Sequence, residues 1–282
     1  MYAPAFRLLL AGALWGALSL SPGGVASVRA ELPAPAETPA ATNAAPVEDA
    51  EDLRDPEALA ELKRATDFLT ALPRFHIKAT ALFDVVQEDG RRLQFERQGE
   101  IFLQRPDRLF AEVHLDDGRH RQFWYDGKTL GLAERSRNLH TRVKAPPTID
   151  GMLDMLEGLF KDPMPLADLL YSDLNPLAER AFEADIVGDS TVNGRPCRHL
   201  AFRGETVDWQ IWVEQGGTPF IRKLAISYRE EAGTPQYVAV IDLWETPERF
   251  SDGLFTFVAP AGSQWIDVLV PAPRPVEKGG QQ

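Results

Sequence analysis

Apolar residues recur along this chain with two different periods, and the switches between them divide it. Leu59, Leu62, Ala65, Leu69 and Leu72 repeat at helical spacing with Phe68 beside them; Asp55 stands at the N-cap position, Pro56 fits the first turn and Pro73 ends the block. The period then drops to two. Phe75, Ile77, Ala79 and Ala81 alternate with His76, Lys78 and Thr80, and Glu88-Asp89-Gly90 supplies a turn. Leu93, Phe95, Ile101 and Leu103 alternate mostly with polar residues, as do Leu109, Ala111, Val113 and Leu115. Asp117-Gly118 and Asp126-Gly127 turn the chain between further segments at 120–125, 129–135 and 139–145. Short alternating segments joined by Asp-Gly turns predict sequential antiparallel hairpins with one apolar and one wet face.

Pro146-Pro147 stops this meander and helical spacing returns. Met152, Leu153, Met155, Leu156, Leu159 and Phe160 form one stripe, with Asp150, Asp154, Glu157 and Lys161 opposite, which predicts an amphipathic helix. A second apolar set, Leu166, Leu169, Leu170 and Tyr171, follows Asp162-Pro163-Met164-Pro165. Three of the four methionines fall between 152 and 164, and methionine adapts to surfaces of varied shape. Strand patterns resume at 184–188 and 197–203 around an Asn193-Gly194 turn, then at 207–214, 220–228 and 237–245. Leu254–Val258 and the stretch at 265–269 are expected to close the domain as strands. The order predicts a mainly β, α+β fold: one large curved antiparallel sheet or half-open barrel of about 10–12 strands with covering helices inserted in the middle. Such a sheet curls around a volume that its own side chains do not fill, so helices or a ligand must occupy it.

Composition bounds the ends and the partners. Arg7 precedes an apolar run from Leu8 to Leu20, no acid occurs before Glu31, and small residues lead to Val28-Arg29-Ala30. This reads as a secretory signal over residues 1–30, too short for a membrane span of about 20 residues. No cysteine follows the run, so lipid anchoring through one is not expected, and the mature protein is expected in the periplasm. Residues 31–52, rich in Ala, Pro and acids, read as a flexible leader, and 271–282 as a loose tail, leaving a single domain at 53–270. The formal charge is −12, and cleavage after Ala30 removes two arginines and no acid, leaving −14. That sign argues against a nucleic-acid partner.

Catalytic signals are weak. The five histidines make no His-Glu-x-x-His spacing. His114 and His120 bracket Asp116 and Asp117 around a hairpin, a conceivable metal site, but solvated edge residues are the preferred reading and no metal or other cofactor is expected. Gly188-Asp189-Ser190 lacks the strand-to-helix elbow of a lipase block. Cys197 lies in a strand pattern, where an inert buried thiol is expected. An enzyme is not expected.

The segments Val207-Asp208-Trp209-Gln210-Ile211-Trp212-Val213-Glu214, Thr218–Ile226, Leu243-Trp244-Glu245 and Phe255–Pro260 resemble the family of predicted periplasmic proteins DUF2092, over about Leu59 to Leu269. That family is similar to the group containing the lipoprotein carriers LolA and LolB and the N-terminal domain of the envelope-stress regulator RseB. The resemblance implies a half-open antiparallel barrel covered by helices, with an apolar cavity for acyl chains, and a lipid or lipidated protein as partner. The alternative is a noncatalytic sensor or scaffold that contacts an envelope protein. Burying an acyl chain of about sixteen carbons is worth roughly 10 kcal/mol at about 0.8 kcal/mol per methylene. The expected trough residues are Ile77, Phe95, Ile101, Val113, Phe123, Trp209, Ile211, Leu224 and Ile226, with Met152, Met155, Leu156, Leu159 and Phe160 on a helical lid.

Overall fold

The computed structural model describes residues 53–159, 166–251 and 253–267; the expected signal, leader and tail, together with Phe160, lie outside the described residues, as do the side chains of Gly158 and Leu159. The chain enters at helix α1 (Pro56–Ala71), where the Asp55 carboxylate accepts from the Glu57 backbone N–H at 2.8 Å. This satisfies one of the N–H groups that an isolated helix start leaves open. Six strands follow: β1 (Arg74–Val86), β2 (Arg92–Gln104), β3 (Arg108–Leu115), β4 (His120–Tyr125), β5 (Thr129–Glu134) and β6 (Leu139–Lys144). The insertion comprises α2 (Ile149–Leu159), a 3₁₀ turn at Ala167–Leu170 and the single-turn α3 (Pro176–Glu179). The chain returns to the sheet as β7 (Glu183–Val192), β8 (Arg195–Arg203), β9 (Val207–Glu214), β10 (Ile221–Tyr228), β11 (Gln236–Glu245) and the short β12 (Gln264–Trp265).

All twelve strands join one sheet in the order β12-β6-β5-β4-β3-β2-β1-β11-β10-β9-β8-β7. The two meanders meet in the middle, where β1 pairs antiparallel with β11. β12 runs parallel to β6, and every other ladder is antiparallel. The sheet stays open at β7 and β12 and does not close into a barrel. The β7–β8 turn uses Asn193 and Gly194 at φ 49° and 74°, the left-handed pair that matches the twist of a tight hairpin.

Residues 254–258 do not form the expected strand. Their alternation is real, but they cross the outer face of the sheet instead of lying along an edge, so they find rings and not a ladder. Phe255 packs edge-on against Phe250, with ring centres 5.6 Å apart, and Phe257 lies against Trp124 at 5.4 Å and His140 at 6.0 Å. Gly131 makes this possible, since a Cβ there would fall 2.3 Å from the Phe257 ring.

The main core lies on the concave face. Alternate residues of nearly every long strand (Phe75 and Ile77, Ile101 and Leu103, Leu109 and Ala111, Trp209 and Ile211) are buried together against Leu62, Leu69, Met152, Leu153, Leu156, Leu169 and Leu170 of the helical elements. A smaller cluster of Val192, Cys197 and Trp212 sits apart from it. Burial raises the Cys197 thiol above its usual range, so it is held as an inert protonated group.

Candidate functional site: the concave face and its helical cover

Strand register aligns the concave side chains into rows across the sheet. One row runs Phe95, Phe83, Tyr237, Ile226, Trp209, Phe202 over β2, β1, β11, β10, β9 and β8, each residue directly opposite the next. Its rings stack at both ends, Phe83 on Phe95 at 5.9 Å and Phe202 on Trp209 at 3.9 Å. The next row passes through Ala81, Ala239, Leu224, Ile211 and Leu200. Ile77 lies opposite Ile101, Ile101 opposite Ala111, and Ala111 opposite Phe123; Val113, one step along β3, faces Gly99.

Of the expected trough residues, Ile77, Ile101, Val113, Phe123, Trp209, Ile211, Leu224 and Ile226 therefore share one buried face with Met152 and Leu156 of α2. Met155 packs at the margin of that core. Phe95 is on the same face but only half-buried, because it lies toward the far end of the β1–β2 hairpin, where Leu93 is exposed. Leu159 belongs to α2, its side chain outside the described residues, and Phe160 lies outside them altogether. The face is occupied by its own helices where it is described. A separate cavity of about 260 Å³ opens between α1 and α3, bordered by Leu59, Thr66, Leu174 and Ala178.

The cover is tied down at its rim by polar contacts. Arg105 donates from Nη1 to the Leu170 carbonyl and from Nη2 to that of Tyr171, both at 3.1 Å. Burial lowers the Arg105 guanidinium from its usual range, with Asp150 opposing the shift. Asp150 in turn accepts from the Ser172 hydroxyl at 2.5 Å and its N–H at 3.0 Å, and the Tyr171 hydroxyl donates to Asp154 at 3.2 Å. Near its N-terminus α2 packs closely: a Cβ on Gly151 would fall 2.8 Å from the Pro146 ring.

The sequence reading passed over Arg97. It occupies a concave position, opposite Ala81 and Leu115, is buried, and sets its guanidinium 4.1 Å from the centre of the Phe83 ring. Burial pushes the Tyr237 hydroxyl up to about 12, against the pull of Arg97. Burial likewise raises Tyr228, and Asp168 of the cover pushes both tyrosines further in the same direction. A charged residue at an apolar-parity position was the available signal: Arg97 interrupts the series Leu93, Phe95, Ile101, Leu103.

The tryptophans divide between faces. Trp209 and Trp244 are in the concave core, Trp244 donating from Nε1 to the Ile221 carbonyl at 2.9 Å. Trp124 lies on the convex face under Phe257, and Trp265 is exposed. Among the described residues no helix is long and apolar enough to cross a membrane.

Among the described residues the chain is an open antiparallel sheet whose apolar concave face is covered by its own helices. The chain belongs to the family described as predicted periplasmic protein (DUF2092), whose model matches residues 58–269. No curated protein matches it in sequence. Similar solved structures include the lipoprotein LppX of Mycobacterium tuberculosis, 11% identical over 69% of this chain and 98% of that one, with a TM-score of 0.44. LprF of Mycobacterium bovis is 10% identical over 75% and 99%, with a TM-score of 0.45. The MucA/MucB complex of Pseudomonas aeruginosa matches at 16% identity over 75% of this chain and 64% of that one, with a TM-score of 0.39.

Proposed function

We propose that the protein is a periplasmic binding or carrier protein for a hydrophobic ligand, a lipid or the acyl chain of a lipoprotein, accommodated on the concave face when the helical cover gives way. The observation that carries this reading is the row from Phe95 to Phe202. It leads without a polar break other than the Tyr237 hydroxyl from a half-exposed hairpin end into the interior. Six strands at a spacing of about 4.8 Å make it about 24 Å long, the scale of a long acyl chain. The trough residues are the concave set above, and α2 with its Met152, Met155 and Leu156 is the lid. The apolar groups that α2 now buries would be exchanged for ligand methylenes, so opening costs less than exposing the face to water.

Leu156→Glu places a charge where the lid meets the sheet. It should abolish uptake of a fluorescent fatty acid by the wild-type chain while far-ultraviolet circular dichroism still reports the sheet. Native mass spectrometry of protein purified from periplasm should show a copurified lipid. Absence of both lipid and uptake in the wild type overturns the proposal; uptake unchanged in Leu156→Glu removes α2 from the lid role.

A second reading, a noncatalytic scaffold that binds an envelope protein, draws on the open edge at β7. There Val187 is exposed on the strand and Phe182 just before it. A copurified protein without lipid, released by Val187→Lys, would favour it.

A further inference from the structure

The convex face carries a second cluster, unrelated to the apolar trough, in which two histidines and a carboxylate converge. His114 and His120 are directly opposite on β3 and β4, and Glu112 and Gln122 form the next pair on the same face. The strand alternation that sends Ala111, Val113 and Phe123 inward sends these four outward. His120 Nε2 lies 2.5 Å from Glu112 Oε1, and His114 Nε2 lies 3.8 Å from the same oxygen. The two imidazole rings stack with centres 4.0 Å apart and planes within 21°. All three potential donor atoms are within 4.8 Å of one another.

We propose that Glu112, His114 and His120 form a binding site for a first-row divalent transition cation of the Zn²⁺ or Cu²⁺ type, with a fourth position left to solvent. Tetrahedral zinc with bonds of about 2.0–2.1 Å needs its ligand atoms about 3.3 Å apart. Of the two separations from Glu112 Oε1 one is shorter than that and the other longer, by less than 1 Å each, and the two histidines offer atoms within 4.8 Å of one another, a spread that side-chain rotation on a fixed hairpin can close. The side chains are 23% exposed at Glu112, 26% at His120 and 55% at His114, so the cation can enter from water without the fold opening. Two imidazoles and one carboxylate suit zinc, copper or nickel better than the oxygen-seeking calcium or magnesium.

The surroundings hold the ligands in place. Gln122 donates from Nε2 to Glu112 Oε1 at 2.8 Å, orienting the carboxylate as an outer-shell partner does in metal sites. The backbone N–H of His120 is directed at Glu134 Oε1 at 3.3 Å and Ser136 Oγ at 3.4 Å, fixing the start of β4. The aspartates of the hairpin are engaged elsewhere: Asp116 accepts from the Glu96 backbone at 2.8 Å, and Asp117 pairs with Arg119 at 2.6 Å. The carboxylate ligand of the proposed site is therefore Glu112 and not Asp116 or Asp117.

The test is titration of Zn²⁺ alone into the untagged, metal-stripped protein, followed by calorimetry. One equivalent should bind, and the melting temperature should rise with Zn²⁺ concentration. His114→Ala, His120→Ala and Glu112→Gln should each weaken binding by about tenfold or more, since loss of even a supporting residue costs metal sites about 10–100-fold. His114→Ala removes the most exposed of the three side chains and, in the metal-free protein, only its stack on His120. Co²⁺ in place of Zn²⁺ should give visible absorption that the His114→Ala and His120→Ala double variant lacks. Zn²⁺ binding of equal affinity in wild type and double variant, or none in the wild type, overturns the proposal.

Discussion

The two faces of this one sheet divide its labour. On the concave side, the described strands and helices bury aliphatic and aromatic groups in a single cluster. The convex side holds a network of ionic and ring contacts of its own. His76 is bonded to Glu245 and Glu100, each at 2.8 Å, and its ring lies flat on Phe102 at 4.0 Å. From there rings continue through Phe110 and Trp124 to Phe257. The concave face is covered by α1 and the elements inserted mid-chain, the convex face around Trp124 by the segment that follows β11. Hydrophobic burial is non-directional and tolerates exchange of one apolar body for another, whereas the convex contacts depend on angle and partner. A face suited to swapping a helix for a ligand and a face suited to fixed geometry are thus two sides of the same strands.

The sharpest test of that contrast is a matched pair of truncations. Phe75 is fully buried on the concave face against Trp244, with ring centres 5.4 Å apart, and Phe75→Ala should cost about 3–5 kcal/mol by urea denaturation. Phe110 on the convex face is half-buried between Phe102 and Trp124, and Phe110→Ala should cost about 1–2 kcal/mol, the scale of its ring pairs. Equal losses would mean that the convex ring ladder belongs to the core.

Much of this was legible beforehand. The period-two alternation assigned Ile77, Ile101, Trp209 and Ile226 to one face, because a strand leaves each side chain no other choice. Asp55 and Asn193-Gly194 announced a helix start and a tight turn through local geometry alone. What depended on register was not legible. That Glu112 joins His114 and His120 follows only once β3 and β4 are aligned residue by residue. That Leu254–Val258 crosses the sheet was hidden because alternation specifies two faces, not whether a neighbouring strand exists. Whether Ile77 or Leu224 ever touches a ligand is a matter of the cover's free energy, to which the pattern of a buried face is blind.

A second test is chemical. In the unfolded chain Tyr237 ionises near 10, while burial in the folded protein holds its proton up to about 12, with Arg97 working in the opposite direction. The raised value favours the folded state in full below pH 10, and the advantage is lost as pH climbs from 10 to 12. The slope is about 1.4 kcal/mol per pH unit, for a total on the order of 2–3 kcal/mol. Tyr237→Phe should make the stability profile less steep over that window, Tyr125 and Tyr228 keeping their own share of the slope, and tyrosinate absorbance from the buried tyrosines should appear together with unfolding. If tyrosinate forms at Tyr237 near pH 10 in the folded protein, the half-exposed end of the aromatic row is wetter than its packing implies.

The smallest effect should come from the convex cover. Gly131→Ala puts a methyl group 2.3 Å from the Phe257 ring, closer than any real contact, and the backbone of a central strand cannot retreat. The ring must therefore lift away from Trp124 and His140, taking its segment with it. Beyond Phe257, contacts of Gly262, Ser263 and β12 with Asn138 and His140 still hold the segment to the sheet, so the release is local. The loss should be about 1–2 kcal/mol, visible chiefly as faster proteolysis around Phe257 and a red shift of Trp124 emission. Fatty-acid uptake should be unchanged, because the methyl points away from the concave side. Uptake that fell in step with the fluorescence change would show that the two faces are coupled through β5, and the division of labour between them would have to be abandoned.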